Sequence, residues 1–294
     1  MVNAYYPKSA DEALRIRHAH PGAQLVCGGT DAMVRKVPAE DVILLGSAAD
    51  LKDVTREKDG RLLIGAAATY AQLLRNPLLP DILHRCITGI ASPAVRSAGT
   101  IAGNVCNAPP AGDTLPVLYI LDAQAVIGRA AEDGTCVFRR EPVPEFIKGV
   151  RKIDLAPDEI VTGISLDLPS YADMNHRYYE KVGARKAEAI SKVSFAACAR
   201  TASGAGEDGA PAGTIEAFRV SFGSVGVSAL RFPDLEREIC GMTVREAAGK
   251  RELLLSRYME RIHPISDQRS TAEYRGQVCR NLLGTFLDSL ADFP

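Results

Sequence analysis

A short apolar strand running directly into a glycine pair restricts the fold of this chain more than any other feature. Residues 24–27 read as that strand, and Gly28-Gly29 stops it before Thr30 and Asp31. Two glycines permit positive φ and close approach of a ligand to the main chain. Successive exposed N–H groups there form a nest suited to phosphate oxygens, and Thr30 adds a hydroxyl donor. A GG turn with a capping Thr or Asp is also a common structural turn, so both readings stand at this point. The segment is not a Rossmann fingerprint, because no third glycine follows at the right offset, and it is not a Walker loop, because no GK[ST] occurs.

A second glycine-containing stretch, GTIAGNVCNAPPAGDTLP, occupies residues 99–116. It reads as a long loop, and loops of this length in compact domains are functional or disordered. Its apolar character favours a packed, functional loop. Gly103 permits another close approach, Thr100 and Asn104 offer neutral donors for a phosphate, and Asp113 offers an acceptor for a polyol hydroxyl. Taken alone this is equally a buried structural loop. Taken together, two glycine loops in one domain can clamp a pyrophosphate from both sides. A carboxylate placed for a ribityl chain then points to FAD rather than a mononucleotide.

The surrounding pattern alternates. Ser9-Ala10-Asp11-Glu12 reads as a capping box that opens a helix through Ala13, Leu14 and Ile16, ending near His20-Pro21-Gly22. Strands are expected at 42–45 and 62–64, and Thr69 caps a helix from Tyr70. A helix from Asp81 leads to Ser92-Pro93, Asp113 caps a helix through Leu121, and strands follow at 125–129 and 159–168. Beyond Pro169-Ser170, three strand-like segments occupy 177–182, 193–200 and 215–222, with SGAGEDGAPAG (203–213) as a solvated hairpin loop. Two helices close the chain. One covers 244–262, and the other follows Ser270-Thr271-Ala272-Glu273, a second capping box, with Val278, Leu282, Phe286 and Leu290 at four-residue spacing. The fold class is α+β. A two-part α/β domain covers 1–170, split near 55–60, and a C-terminal α+β domain with a three-stranded antiparallel sheet and helices covers 171–294.

Composition narrows the chemistry. With 35 Lys and Arg against 36 Asp and Glu in 294 residues, the chain lacks the cationic excess of a nucleic-acid binder. No apolar run reaches membrane-spanning length, and the N-terminus lacks a basic start and an apolar segment. A cytoplasmic location is the expectation. Seven cysteines occur with no CxxC, so no zinc or iron–sulfur frame is expected on this chain. Any redox group must then be an organic cofactor.

At these residues the sequence resembles the FAD-binding subunit of the molybdenum hydroxylase family, the xanthine dehydrogenase FAD subunit and carbon monoxide dehydrogenase medium subunit. The family's AGGTD, TIGGN and helix-opening Asp correspond to CGGTDAMV (27–34), GTIAGN (99–104) and APPAGDTLP (108–116). YYEKVGARKAEAISKVSFAACA (178–199) and ISDQRSTAEYRGQV (265–278) look like its C-terminal domain, so the resemblance covers essentially the whole chain. Two positions depart: Ala102 stands where the family has Gly, and Cys27 where it has Ala. Only Cys136 lies where some relatives carry a cluster-binding insertion.

The resemblance implies a vanillyl-alcohol-oxidase/PCMH-like FAD domain. In it Val26, Cys27, Gly28, Gly29, Thr30 and Asp31 lie on the pyrophosphate side, and Thr100, Gly103 and Asn104 form the second clamp. Asp113 meets the ribityl hydroxyls, Ile160 and Val161 lie against the flavin, and Lys181 approaches its pyrimidine edge. A cation there would stabilise the negative charge of the reduced flavin. Arg185 orients that region or meets a partner. No catalytic triad is expected. The implied partners are a molybdopterin-binding large subunit and a small subunit with two [2Fe–2S] clusters, in a dimer of heterotrimers. The implied electron acceptor is one such as NAD⁺, and the implied reaction is hydroxylation of a purine or other N-heterocycle. The alternatives are a self-contained FAD oxidase or dehydrogenase, for which the C-terminal module leaves little room, and a flavin-free partner subunit.

Overall fold

The computed structural model describes residues 2–34, 41–202 and 213–291. The hairpin loop expected at 203–213 therefore lies, except for Gly213, outside the described residues. The chain forms two compact units. One comprises 1–109 and 122–168, the other 110–121 and 169–294.

The first unit begins with β1 (Ala4–Tyr5), α1 (Ala10–Ala19), β2 (Gln24–Val26) and β3 (Val42–Leu44). These strands form a parallel sheet in the order β1-β3-β2. Ser9 caps α1 by accepting from the Glu12 N–H at 3.2 Å. Glu12 does not complete a capping box, because its carboxylate accepts from the Lys8 N–H at 2.7 Å instead. Ala13 and Leu14 of α1 pack against Ile43 and Leu45.

The chain continues through β4 (Val54–Arg56), β5 (Leu62–Gly65), α2 (Tyr70–Leu73), α3 (Asp81–Thr88), α4 (Pro93–Arg96) and α5 (Ile101–Asn107). Thr69 opens α2 with a complete capping box to Gln72. After α6 (Thr114–Ile120) come β6 (Gln124–Ala130), β7 (Cys136–Pro142), α7 (Val143–Phe146), β8 (Ile147–Gly149), β9 (Lys152–Ile153) and β10 (Ile160–Leu166). Five of these strands form an antiparallel sheet in the order β4-β5-β10-β6-β7.

Helix α6 belongs to the second unit. All seven of its residues are buried, and it packs on two later strands, Val193–Thr201 and Ile215–Gly223. Apart from this segment the two units divide between Leu168 and Pro169. The unit continues with α8 (Pro169–Ala172), β11 (His176–Val182), β12 (Val193–Thr201), β13 (Ile215–Gly223) and β14 (Leu230–Arg231), then α9 (Pro233–Ile239), α10 (Val244–Gly249), α11 (Arg251–Met259) and α12 (Ala272–Ser289). The antiparallel sheet has four strands, β11-β12-β13-β14, not three. The last is two residues long, too short to leave an alternation in the sequence. The helix expected over 244–262 is two helices that meet at Lys250. Thr271 rather than Ser270 caps α12. The core gathers Phe195, Phe222 and Phe286 under Tyr258 and Leu283.

Candidate cofactor site

The two glycine segments meet in the first unit. A Cβ built on Gly28 would stand 1.8 Å from the Ala98 carbonyl oxygen, so this glycine is required by the contact between the segments themselves. Gly29 has φ +69° and no such crowding. Its need for glycine is the left-handed backbone. The Tyr70 N–H donates to the Gly99 carbonyl at 2.9 Å, and Thr69 bridges Thr100, which stitches the second segment to the start of α2.

The long loop expected at 99–116 is shorter than it reads, because α5 occupies seven of its residues. Thr100 caps that helix, its Oγ1 accepting from the Gly103 N–H at 3.0 Å. A Cβ on Gly103 would lie 2.9 Å from that oxygen. Thr100 therefore organises the loop and is not an idle donor. It also bonds the Cys27 thiol, which lowers the pKa less than burial raises it, and the thiol is held up at about 11. Burial likewise holds Cys106 at about 12. Neither forms a thiolate near neutral pH.

Between and beside these segments lies a cavity of about 510 Å³, within the range of cofactor pockets. Val26, Cys27, Gly28, Gly29, Thr30 and Asp31 line it from the first segment. Thr100, Gly103 and Asn104 line it from the second, and Ile160 and Val161 from β10. Ala102, the departure from the family pattern, is buried in its wall. Tyr70, Ile153, Leu155 and Arg17 also line it and carry no motif. Arg17 alone left a trace in the sequence: it follows Ala13 and Leu14 at helical spacing on the buried face of α1, where a cation is out of pattern.

Asp113 and Lys181 are not among the residues lining this cavity. They lie in the second unit, where Lys181 Nζ donates to Asp113 Oδ2 at 2.7 Å with both side chains largely buried. Ser191 Oγ donates to the other carboxylate oxygen. Asp113 occupies the N-cap position of α6, but its side chain makes no capping bond, contrary to expectation. Arg185 is tied to its own loop, donating to the carbonyls of Ala187 at 3.0 Å and Glu188 at 2.7 Å. Among the described residues no cluster of three or more His, Cys, Asp or Glu is placed to hold a metal ion. No described helix is long and apolar enough to cross a membrane.

A cavity between two glycine segments, lined largely by neutral donors and aliphatic side chains, suits a nucleotide cofactor. Residues 1–169 match the family model described as the FAD binding domain in molybdopterin dehydrogenase, and 177–290 match that of the CO dehydrogenase flavoprotein C-terminal domain. The chain belongs to this family and is an FAD-binding oxidoreductase subunit. It is 25% identical over 272 residues to the xanthine dehydrogenase FAD-binding subunit of Escherichia coli O157:H7, covering 90% of this chain and 87% of that one. It is 24% identical to caffeine dehydrogenase subunit beta of Pseudomonas sp. strain CBB1, covering 97% and 93%. The fold superposes on a chain of carbon monoxide dehydrogenase from Hydrogenophaga pseudoflava with TM-score 0.83, covering 98% and 96% at 22% identity.

Proposed function

We propose that this chain is the electron-transfer subunit of a molybdenum hydroxylase. It takes electrons from the [2Fe–2S] clusters of a small partner subunit and delivers them to an acceptor such as NAD⁺. A large partner subunit holds the molybdopterin and hydroxylates a purine or another N-heterocycle. The whole is a cytoplasmic dimer of heterotrimers. The observation that carries this reading is the convergence of both glycine segments and β10 on one cavity. FAD bound there would supply the junction between one-electron donors and a two-electron acceptor.

The chain's own residues bind and orient. The turn at Gly28 and Gly29, with Val26, Cys27, Thr30 and Asp31, receives the diphosphate. Thr100, Gly103 and Asn104 close on it from the other segment, and Ile160 and Val161 exclude water from the flavin. Asp113 serves the ribityl hydroxyls, and Lys181 serves the pyrimidine edge, where its charge favours the reduced cofactor. The substrate class is drawn from the relatives that act on xanthine and caffeine.

The test is the visible spectrum of the purified chain. A flavin spectrum, retained by the complex with partner subunits and bleached on adding substrate, is expected. No FAD even after reconstitution with the partners would sink the reading. Steady turnover by the isolated chain would instead indicate a self-contained oxidase.

A further inference from the structure

Arg17 has no part in the function proposed above, yet it stands in the wall of the same cavity. It lies on the buried face of α1 at 9% exposure. A guanidinium placed there loses hydration that only hydrogen bonds restore. One Nη donates to the Ala23 carbonyl, but Nε is buried without a hydrogen-bond partner. Burial pulls this group below its ordinary value, and Asp158 offsets only part of that. Among the described residues lining the cavity, Arg17 is the only cation.

Its position along the cavity limits what it can meet. The wall runs unbroken from Ala23 to Ala32 and so follows β2, the edge strand of its sheet. Arg17 holds Ala23 at the start of that strand, while Gly28 and Gly29 follow its end. Five residues of extended chain span about 16 Å. A diphosphate at the glycine turn does not cover that length, but a nucleoside attached to it does. Leu25 and Leu45 share the apolar cluster of α1 and also line the cavity, giving a flat base an aliphatic wall.

We propose that Arg17 recognises the adenylate half of FAD, its guanidinium donating to a ring nitrogen of the adenine. The proposal rests on the reading that FAD occupies this cavity with its diphosphate at the glycine turn. It assigns α1, remote in sequence from both glycine segments, a part in choosing FAD over FMN.

The experiment compares the protein stripped of flavin with its Arg17→Met and Arg17→Lys variants. FAD and FMN are titrated by flavin fluorescence, and AMP by its competition with FAD. Arg17→Met keeps an unbranched apolar stem and removes every donor. Arg17→Lys keeps a cation able to reach Ala23 and removes the planar guanidinium. Both variants are expected to bind FAD and AMP about ten- to a hundredfold more weakly, as loss of a charged hydrogen bond implies, with FMN affinity unchanged. Unchanged FAD and AMP affinity in both variants overturns the proposal. So does a loss equal for FMN and FAD, which would mark Arg17 as structural. If thermal melting shows that Arg17→Met does not fold, Arg17→Lys decides alone. A wild-type protein that binds no FAD fails the earlier reading instead, so the two failures are distinct.

Discussion

Gly28 and Gly29 are neighbours with different physical reasons to be glycine. At Gly28 the space for a side chain is already filled by the Ala98 carbonyl, whereas at Gly29 the constraint is a backbone at φ +69°. Gly28→Ala forces two main-chain segments apart and should cost about 3 kcal/mol. Gly29→Ala meets no atom closer than 3.5 Å and should cost only about 1–2 kcal/mol, the left-handed penalty. Urea unfolding of the two variants checks the order, and a larger loss at Gly29 would contradict the packing described. Gly29→Val should also lower FAD occupancy, because the strained turn no longer presents its N–H groups.

His176 makes a second prediction at this scale. It is 3% exposed, its Nε2 is 2.9 Å from Thr201 Oγ1, and burial holds its pKa below the usual histidine value. Below about pH 6.5 the unfolded chain therefore binds a proton that the folded chain resists. Stability present above that pH is lost as the pH falls through it. His176→Gln, which cannot charge, should show a shallower fall in thermal midpoint from pH 7 to 5. Parallel slopes for the two proteins would refute this.

At the scale of elements, legibility followed local chemistry. Ser9, Thr69 and the strand entering Gly28-Gly29 announce themselves because a cap or a glycine turn is decided within a few residues. Helix α5 was hidden inside a Gly- and Asn-containing stretch of poor helix propensity. It forms because Thr100 caps it and its Ile101, Ala102 and Val105 are buried. The Asp113 carboxylate was legible as a site residue but not as the partner of Lys181 and Ser191, which lie 68 and 78 residues away. No local pattern encodes such a pairing.

Helix α12 holds this arrangement through Arg275, which is 4% exposed. Its Nη1 donates to the carbonyls of Lys192 at 3.0 Å and Ser224 at 2.6 Å, and its Nη2 to Asp267 at 2.7 Å. Lys192 follows Ser191, the donor to Asp113. The Ser224 N–H donates to the Pro110 carbonyl at the start of the segment that carries Asp113. Arg275→Met should cost about 3 kcal/mol, as for other broken buried ion pairs. It should also speed amide exchange around 191–193 and 224–226 while leaving α1 protected. Uniform exchange changes across the chain would show that α12 has no particular hold on these loops.

At the scale of the whole molecule, sequence order and spatial order part company at 110–121. A reading along the chain places α6 with the domain on either side of it, because nothing in TLPVLYI says which core it enters. Its partners are in the second unit. Arg219 and Arg231 donate to the carbonyls of Ile120 at 2.9 Å and Tyr119 at 2.6 Å, satisfying a helix C-terminus that water does not reach. Leu115, Val117, Leu118, Tyr119 and Ile120 are each at most 4% exposed. At roughly 2 kcal/mol per buried apolar side chain, their burial is worth on the order of 10 kcal/mol, as much as the net stability of a domain. A fragment ending at residue 168 keeps this helix and loses the strands it packs on. Such a fragment should expose the apolar helix, bind a hydrophobic dye, aggregate, and fail to retain FAD although every glycine-segment residue is present. Replacing Leu115, Leu118 and Ile120 by Ser in the fragment should relieve the aggregation, while the same substitutions in the full chain should unfold the second unit. A soluble, FAD-retaining fragment 1–168 would show that α6 can find another core.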